Sequence, residues 1–95
     1  MDTKNEAAMR GALLSLLYRE RGHSWATVKP DDFAPPWTMQ EIFYFGREFH
    51  GASPPLIKDF PDEDRGGYLM RISEHGKLVW EGRENTSLDI EGLPE

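Results

Sequence analysis

The stretch Tyr68-Leu69-Met70-Arg71-Ile72-Ser73-Glu74-His75-Gly76-Lys77-Leu78-Val79-Trp80 decides how this chain folds. Tyr68, Met70 and Ile72 fall on one face of its first half, and Leu78 and Trp80 on one face of its second. Strict alternation of this kind marks a half-buried strand. Glu74-His75-Gly76 then reads as a three-residue hairpin loop, with Gly76 in the left-handed position such loops favour. That register pairs Ser73 with Lys77, Ile72 with Leu78 and Met70 with Trp80, so the apolar side chains share one side. A slip of one residue would destroy the agreement. The pattern predicts a hairpin over residues 68–82. Ser87-Leu88-Asp89-Ile90-Glu91 alternates as well and predicts a third strand over 86–91.

Working towards the N-terminus, residues 51–67 read as a loop, and a helix is predicted over 39–50. Thr38-Met39-Gln40-Glu41 is a capping box, and Trp37 and Ile42 take the staple positions around it. Ile42, Phe45 and Phe49 fill one arc of the wheel, while Gln40, Glu41, Tyr44, Arg47 and Glu48 fill the other. Residues 29–37 carry three prolines and form a loop, because proline disfavours helix in the residues before it. A short strand precedes it within 23–28. A second capping box, Thr3-Lys4-Asn5-Glu6, opens a helix over about 4–21 that Gly22 would end. Its wheel carries two apolar stripes, Met9/Ala12/Leu13/Leu16/Leu17 and Ala7/Gly11/Leu14/Tyr18. The second stripe either shares the core or meets a symmetry mate, with Leu14 and Tyr18 as the homodimer contacts. The expected fold class is α+β, two amphipathic helices packed on a small antiparallel β-meander in a single domain.

Composition bounds what such a domain can do. The 95 residues carry 17 acidic and 11 basic side chains, a net charge of −6, with no cysteine. Residues 61–95 hold nine acids against four bases. Without cysteine there is no disulfide framework, thiolate nucleophile or cysteine zinc site. No apolar run approaches the ~18 residues that span a bilayer, and the first twenty residues lack a signal-peptide layout. The cytoplasm is the expected location, with no membrane partner. His23, His50 and His75 have no metal-ligand spacing. Aligning Asp62 with the first position of a calcium loop leaves Gly66 and Ser73 where oxygen ligands belong. There is no nucleophile elbow and no phosphate-binding glycine loop. No cofactor, metal or catalytic residue is expected, and a small enzyme is the third-ranked reading.

The segment Ile72-Ser73-Glu74-His75-Gly76 resembles the Leu-Thr-x-x-Gly segment found near the wings of many bacterial winged-helix regulators. The resemblance implies an α-β-α-α-β-β order, with a short helix at 54–60, and DNA as the partner. In those regulators the segment begins a helix, contrary to the hairpin above. A helix at 54–60 would offer one base, Lys58, and the bases Arg65, Arg71, Lys77 and Arg83 are interleaved with Glu74, Glu81 and Glu84. Direct nucleic-acid binding is therefore the second reading, since such affinity comes from neutralising phosphates.

The leading expectation is a non-enzymatic protein-binding module whose partner has a basic surface. A modulator or inhibitor of a nucleic-acid-handling complex fits best, its carboxylates standing in for phosphates in the general style of small phage anti-defence proteins. Tyr44 is the expected anchor unless it packs under Pro35-Pro36, because aromatic residues bordered by charge recur at interfaces. The expected contact residues beside it are Glu41, Glu48, Asp62, Glu63, Asp64, Glu84, Asp89 and Glu91.

Overall fold

A computed structural model describes residues 5–20 and 25–93. Helix α1 spans Glu6–Ser15 and passes into a π-helical turn, Leu16–Glu20. Strand β1 is Ala26–Val28, and a 3-10 turn, Pro30–Asp32, opens the proline loop. Helix α2 is Met39–Gly51, strand β2 Asp62–Asp64, strand β3 Gly67–Met70, and helix α3 Glu74–Trp80. The fold is a small α+β one, as expected, but three of its parts differ from the sequence reading.

Helix α2 follows its local code. The Thr38 hydroxyl accepts from the Glu41 amide at 3.0 Å, and the Glu41 carboxylate accepts from the Thr38 amide at 2.8 Å. Ile42, Phe45 and Phe49 are buried on its inner face, and Trp37 stacks on Phe33 with ring centroids 3.7 Å apart. Helix α1 is capped by Asn5, whose side chain accepts from the Ala8 amide at 3.2 Å. Thr3, the expected cap, lies outside the described residues, as do Gly22 and the start of the expected short strand.

The hairpin lies upstream of its predicted place. Strands β2 and β3 pair antiparallel, Asp62 opposite Leu69 and Asp64 opposite Gly67. Arg65 and Gly66 between them both have positive φ, 52° and 82°, the backbone a two-residue hairpin turn needs and glycine takes at no steric cost. Strand β1 pairs with the other side of β3, giving the antiparallel order β1-β3-β2. The expected loop 51–67 thus contributes a strand to the sheet.

Residues 74–80 are helix, which overturns the hairpin reading of 68–82: the Leu-Thr-x-x-Gly-like segment begins a helix, as the resemblance implies. Ser73 is the cap: its hydroxyl accepts from the Gly76 amide at 2.9 Å and donates to the Pro55 carbonyl at 2.6 Å. Gly76, Val79 and Trp80 are buried, a spacing of three and four residues that belongs to a helix. Leu78, which the alternation placed inside, is only half-buried. The winged-helix order is not observed either, because 54–60 carries no helix. Leu56 and Ile57 are buried there, with Ile57 bridging to Ile72.

The third correction concerns the expected strand 86–91. This segment forms a strap across α1 rather than a strand. The Glu91 amide donates to the Ala7 carbonyl at 3.0 Å, and Leu88, Ile90 and Leu93 pack on the core. The close approach requires Gly11, where a Cβ would sit 1.8 Å from the Glu91 carbonyl oxygen. The second stripe of α1 is therefore covered by its own chain. Leu14 is fully buried, and Tyr18 donates to Glu81 at 2.5 Å while its ring lies 5.9 Å from that of Trp80. Leu14 is thus taken up by the chain's own core, while Tyr18 stays half-buried.

Candidate protein-binding groove

Tyr44 stands between half-buried Phe43 and buried Phe45 on α2, a helical step of about 100° from each, which turns it outward. It is 42% exposed and meets the Phe45 ring edge-on, centroids 4.9 Å apart and planes at 83°. It does not disappear beneath Pro35-Pro36. An open groove of about 550 Å³ runs beside it. Glu6 and Met9 of α1 form one wall, and Gln40, Glu41 and Tyr44 of α2 form the other. Met9 also lines a second groove, between the Ala8–Ala12 face of α1 and Pro35-Pro36-Trp37.

The wall geometry is set by Arg10. Its guanidinium donates to both Glu48 carboxylate oxygens, at 2.6 and 3.1 Å. It also donates to the Asp89 carbonyl at 2.9 Å and to Glu6 at 3.3 Å. One side chain thus ties α1 to α2 and to the strap. The hydrogen bond to Glu48 raises the Arg10 pKa further above its ordinary value, so the charge is permanent. The Arg10 side chain keeps only 12% of its surface exposed and that of Glu48 22%, so this pair is shielded from solvent screening. Arg10→Met and Glu48→Ala are each expected to lower unfolding stability by about 2 kcal/mol, the range for hydrogen bonds to charged groups. Chemical denaturation would check this, and a silent Glu48→Ala would show the pair to be ornamental.

The structure separates the expected contact residues into four places. Glu41 and Tyr44 share the groove. Glu48, the Asp89 carbonyl and Glu91 belong to contacts within the chain, the Glu91 carboxylate accepting from Asn5 Nδ2 at 3.2 and 3.3 Å. Asp62 and Glu63 are exposed on β2, while Asp64 is half-buried and accepts from the Thr27 hydroxyl at 2.6 Å. Glu84 is exposed beyond α3. Sequence reasoning missed Glu6, Met9 and Gln40. The only local signal was the Glu6/Arg10 spacing of four, which places two ionic side chains on one helix face.

Other candidate chemistry is thin. Among the described residues no three His, Asp or Glu side chains cluster as metal ligands. The His50 ring packs edge-on against Phe60, centroids 5.5 Å apart. Among the described residues, too, no helix is long and apolar enough to cross a membrane. No protein-family model matches this chain, and neither the curated proteins nor the solved structures contain a match to it.

Proposed function

We propose that this chain is a non-enzymatic, cytoplasmic protein-binding module that docks a basic partner surface through the Tyr44 groove. Its best-fitting role is to modulate or inhibit a nucleic-acid-handling complex by presenting carboxylates where that complex expects phosphates. The observation that carries this reading is a half-exposed tyrosine, set edge-on to Phe45, in a groove whose two walls each supply a carboxylate, Glu6 and Glu41. Aromatic anchors act through burial, while surrounding charge sets on-rate and partner choice. Asp62, Glu63, Glu84 and Asp89 extend the negative field beyond the groove.

The test compares proteins captured from lysate of the source cells by wild type, Tyr44→Ala and an Asp62/Glu63/Glu84 triple serine variant. With the captured partner in hand, Tyr44→Ala should raise its off-rate with little dependence on salt. The triple variant should mainly slow association, and most at low salt. An identical captured set from all three proteins would sink the reading.

The helix that begins at Ser73 favours a second reading, a regulator that binds DNA, although the winged-helix order itself is absent. The charges weigh against it. Arg65, Lys77 and Arg83 each lie within about 4 Å of a carboxylate, on Asp64, Glu74 and Glu81. Arg71 stacks over the Trp25 ring at 4.8 Å. Retardation of a random-sequence duplex at low salt would restore this reading.

A further inference from the structure

We infer that the outer face of the sheet carries a nucleotide site, in which Arg71 and Lys58 hold a phosphate monoester and the exposed ring of Trp25 stacks the base joined to it. The first ground is register. Ile57 bridges to Ile72 antiparallel and the Lys58 amide donates to the Arg71 carbonyl at 2.9 Å, so Lys58 stands opposite Arg71. On the other side of β3, the pairing of Ala26 with Met70 sets Trp25 opposite Arg71. Directly opposite side chains share a face, and alternation turns this row away from buried Ala26, Ile57, Met70 and Ile72. Helix α2 packs on that inner side, with Met70 against Gly46, so the row is separate from the Tyr44 groove and does not rest on it.

The second ground is charge. Like charges directly opposite repel, yet neither Arg71 nor Lys58 makes an ion pair among the described residues. By register, Asp62 and Asp64 share this face. Asp62 stands beside Leu69, one row away, and Asp64 accepts from the Thr27 hydroxyl; neither is paired with Arg71 or Lys58. The Trp25 ring attracts the Arg71 cation and leaves its charge in place. A phosphate monoester carries a charge of about −1.5 to −2 and answers both cations, whereas a carboxylate would answer one. Acids on the far surfaces weigh little here, because charges beyond a Debye length of about 8 Å are largely screened at physiological salt.

The third ground is how the groups are presented. The Arg71 guanidinium lies 4.8 Å from the Trp25 ring centroid, and of its three nitrogens only Nε is enclosed. The forked amino groups that bond phosphate bidentately therefore reach solvent, and Lys58 adds an exposed point charge. Trp25 is 44% exposed at the free edge of the sheet. It is two interstrand spacings from Lys58, about 10 Å, so a ligand meeting both needs a spacer between ring and phosphate. The sugar of a nucleotide is such a spacer; a ring that bears its phosphate directly, as in phosphotyrosine, spans less of the row. One row of this kind holds one phosphate and is not the run of cations that a duplex requires.

The experiment is an NMR titration of the whole, isotope-labelled chain with AMP, with adenosine, inorganic phosphate and phenyl phosphate in parallel. AMP should shift the Trp25 indole, the Arg71 Nε–H and the amides of 57–58 and 69–72, and leave Tyr44 unmoved. Adenosine should bind about tenfold more weakly for want of charge-assisted hydrogen bonds, and inorganic phosphate about tenfold more weakly for want of the stack. Lys58→Gln, an exposed change, should weaken AMP about three- to fivefold and leave adenosine unchanged. Trp25→Ala should weaken AMP about tenfold, while Trp25→Phe keeps most of the affinity. The same phosphate occurs on free nucleotides and at the ends of single strands, so a terminally phosphorylated trinucleotide is compared with AMP. Tighter binding of the trinucleotide would support the site as one for strand ends, and equal or weaker binding as one for free nucleotides. Equal binding of AMP and adenosine would overturn the phosphate contact, and phenyl phosphate binding as tightly as AMP would overturn the nucleotide assignment. No shift along the row at millimolar AMP would overturn the site itself and leave the capture comparison above untouched.

Discussion

Phe49→Ala is expected to lower unfolding stability by about 3–5 kcal/mol, from the lost transfer energy of the ring plus the cavity it leaves. Phe49 is fully buried on the inner face of α2, and its carbonyl accepts from the Leu56 amide at 2.9 Å, which anchors the segment feeding β2 and β3. A domain of this size has only about 5–15 kcal/mol to lose, so the variant would hold a small remainder of its stability. The comparison is Arg47→Ala, exposed on the outer arc of the same helix, where the change should stay within about 0.5 kcal/mol. Urea midpoints of the two variants decide the matter. Similar midpoints would mean that α2 presents a different face to the core.

The orientation of α2 was legible because everything that specifies it is local. The Thr38–Glu41 box, the staple and the wheel all lie within a few residues, and each points to the same answer. Glu48 shows the limit of that reading. Its place on the polar arc suggests a solvated charge, but its partner Arg10 lies 38 residues away and makes it structural. The sheet was hard to read for a different reason. Its strands are three or four residues long, too short for alternation to register, and β2 is Asp-Glu-Asp, which looks like a solvated turn. Charge on an edge strand is instead a common guard against pairing with other chains.

The groove was half legible. Tyr44 among charges on the polar arc was visible in the wheel, and Glu41 three residues before it follows from helical geometry. The opposite wall, Glu6 and Met9, depends on how α1 crosses α2, and that is set by Arg10 and the strap. The strap itself carries a misleading signature. Its apolar residues Leu88 and Ile90 alternate like a strand, yet they pack on a helix because Gly11 leaves room for the backbone at Glu91. Long-range contacts of this kind leave only a missing side chain in the sequence.

Gly76→Val is expected to cost about 3 kcal/mol or more, as overpacking against backbone. The helix α3 lies so close to the chain before it that a Cβ at Gly76 would stand 2.3 Å from the Leu56 carbonyl oxygen and 2.8 Å from Ile72 Cγ1. That carbonyl accepts from the Ser73 amide at 2.9 Å, so moving it would disturb the cap of α3 as well. Two further substitutions separate this cause from the left-handed loop position that alternation suggests. In a left-handed loop, asparagine would be tolerated, because its short polar side chain enters that region readily. Against the Leu56 carbonyl it carries the same offending Cβ, and Gly76→Asn should be destabilising too. Gly76→Ala should also lose stability, although alanine favours a helix interior by about 1 kcal/mol over glycine. Thermal melts of the three variants would give the order, and a stabilised Gly76→Ala would mean that α3 does not rest on the Leu56 backbone.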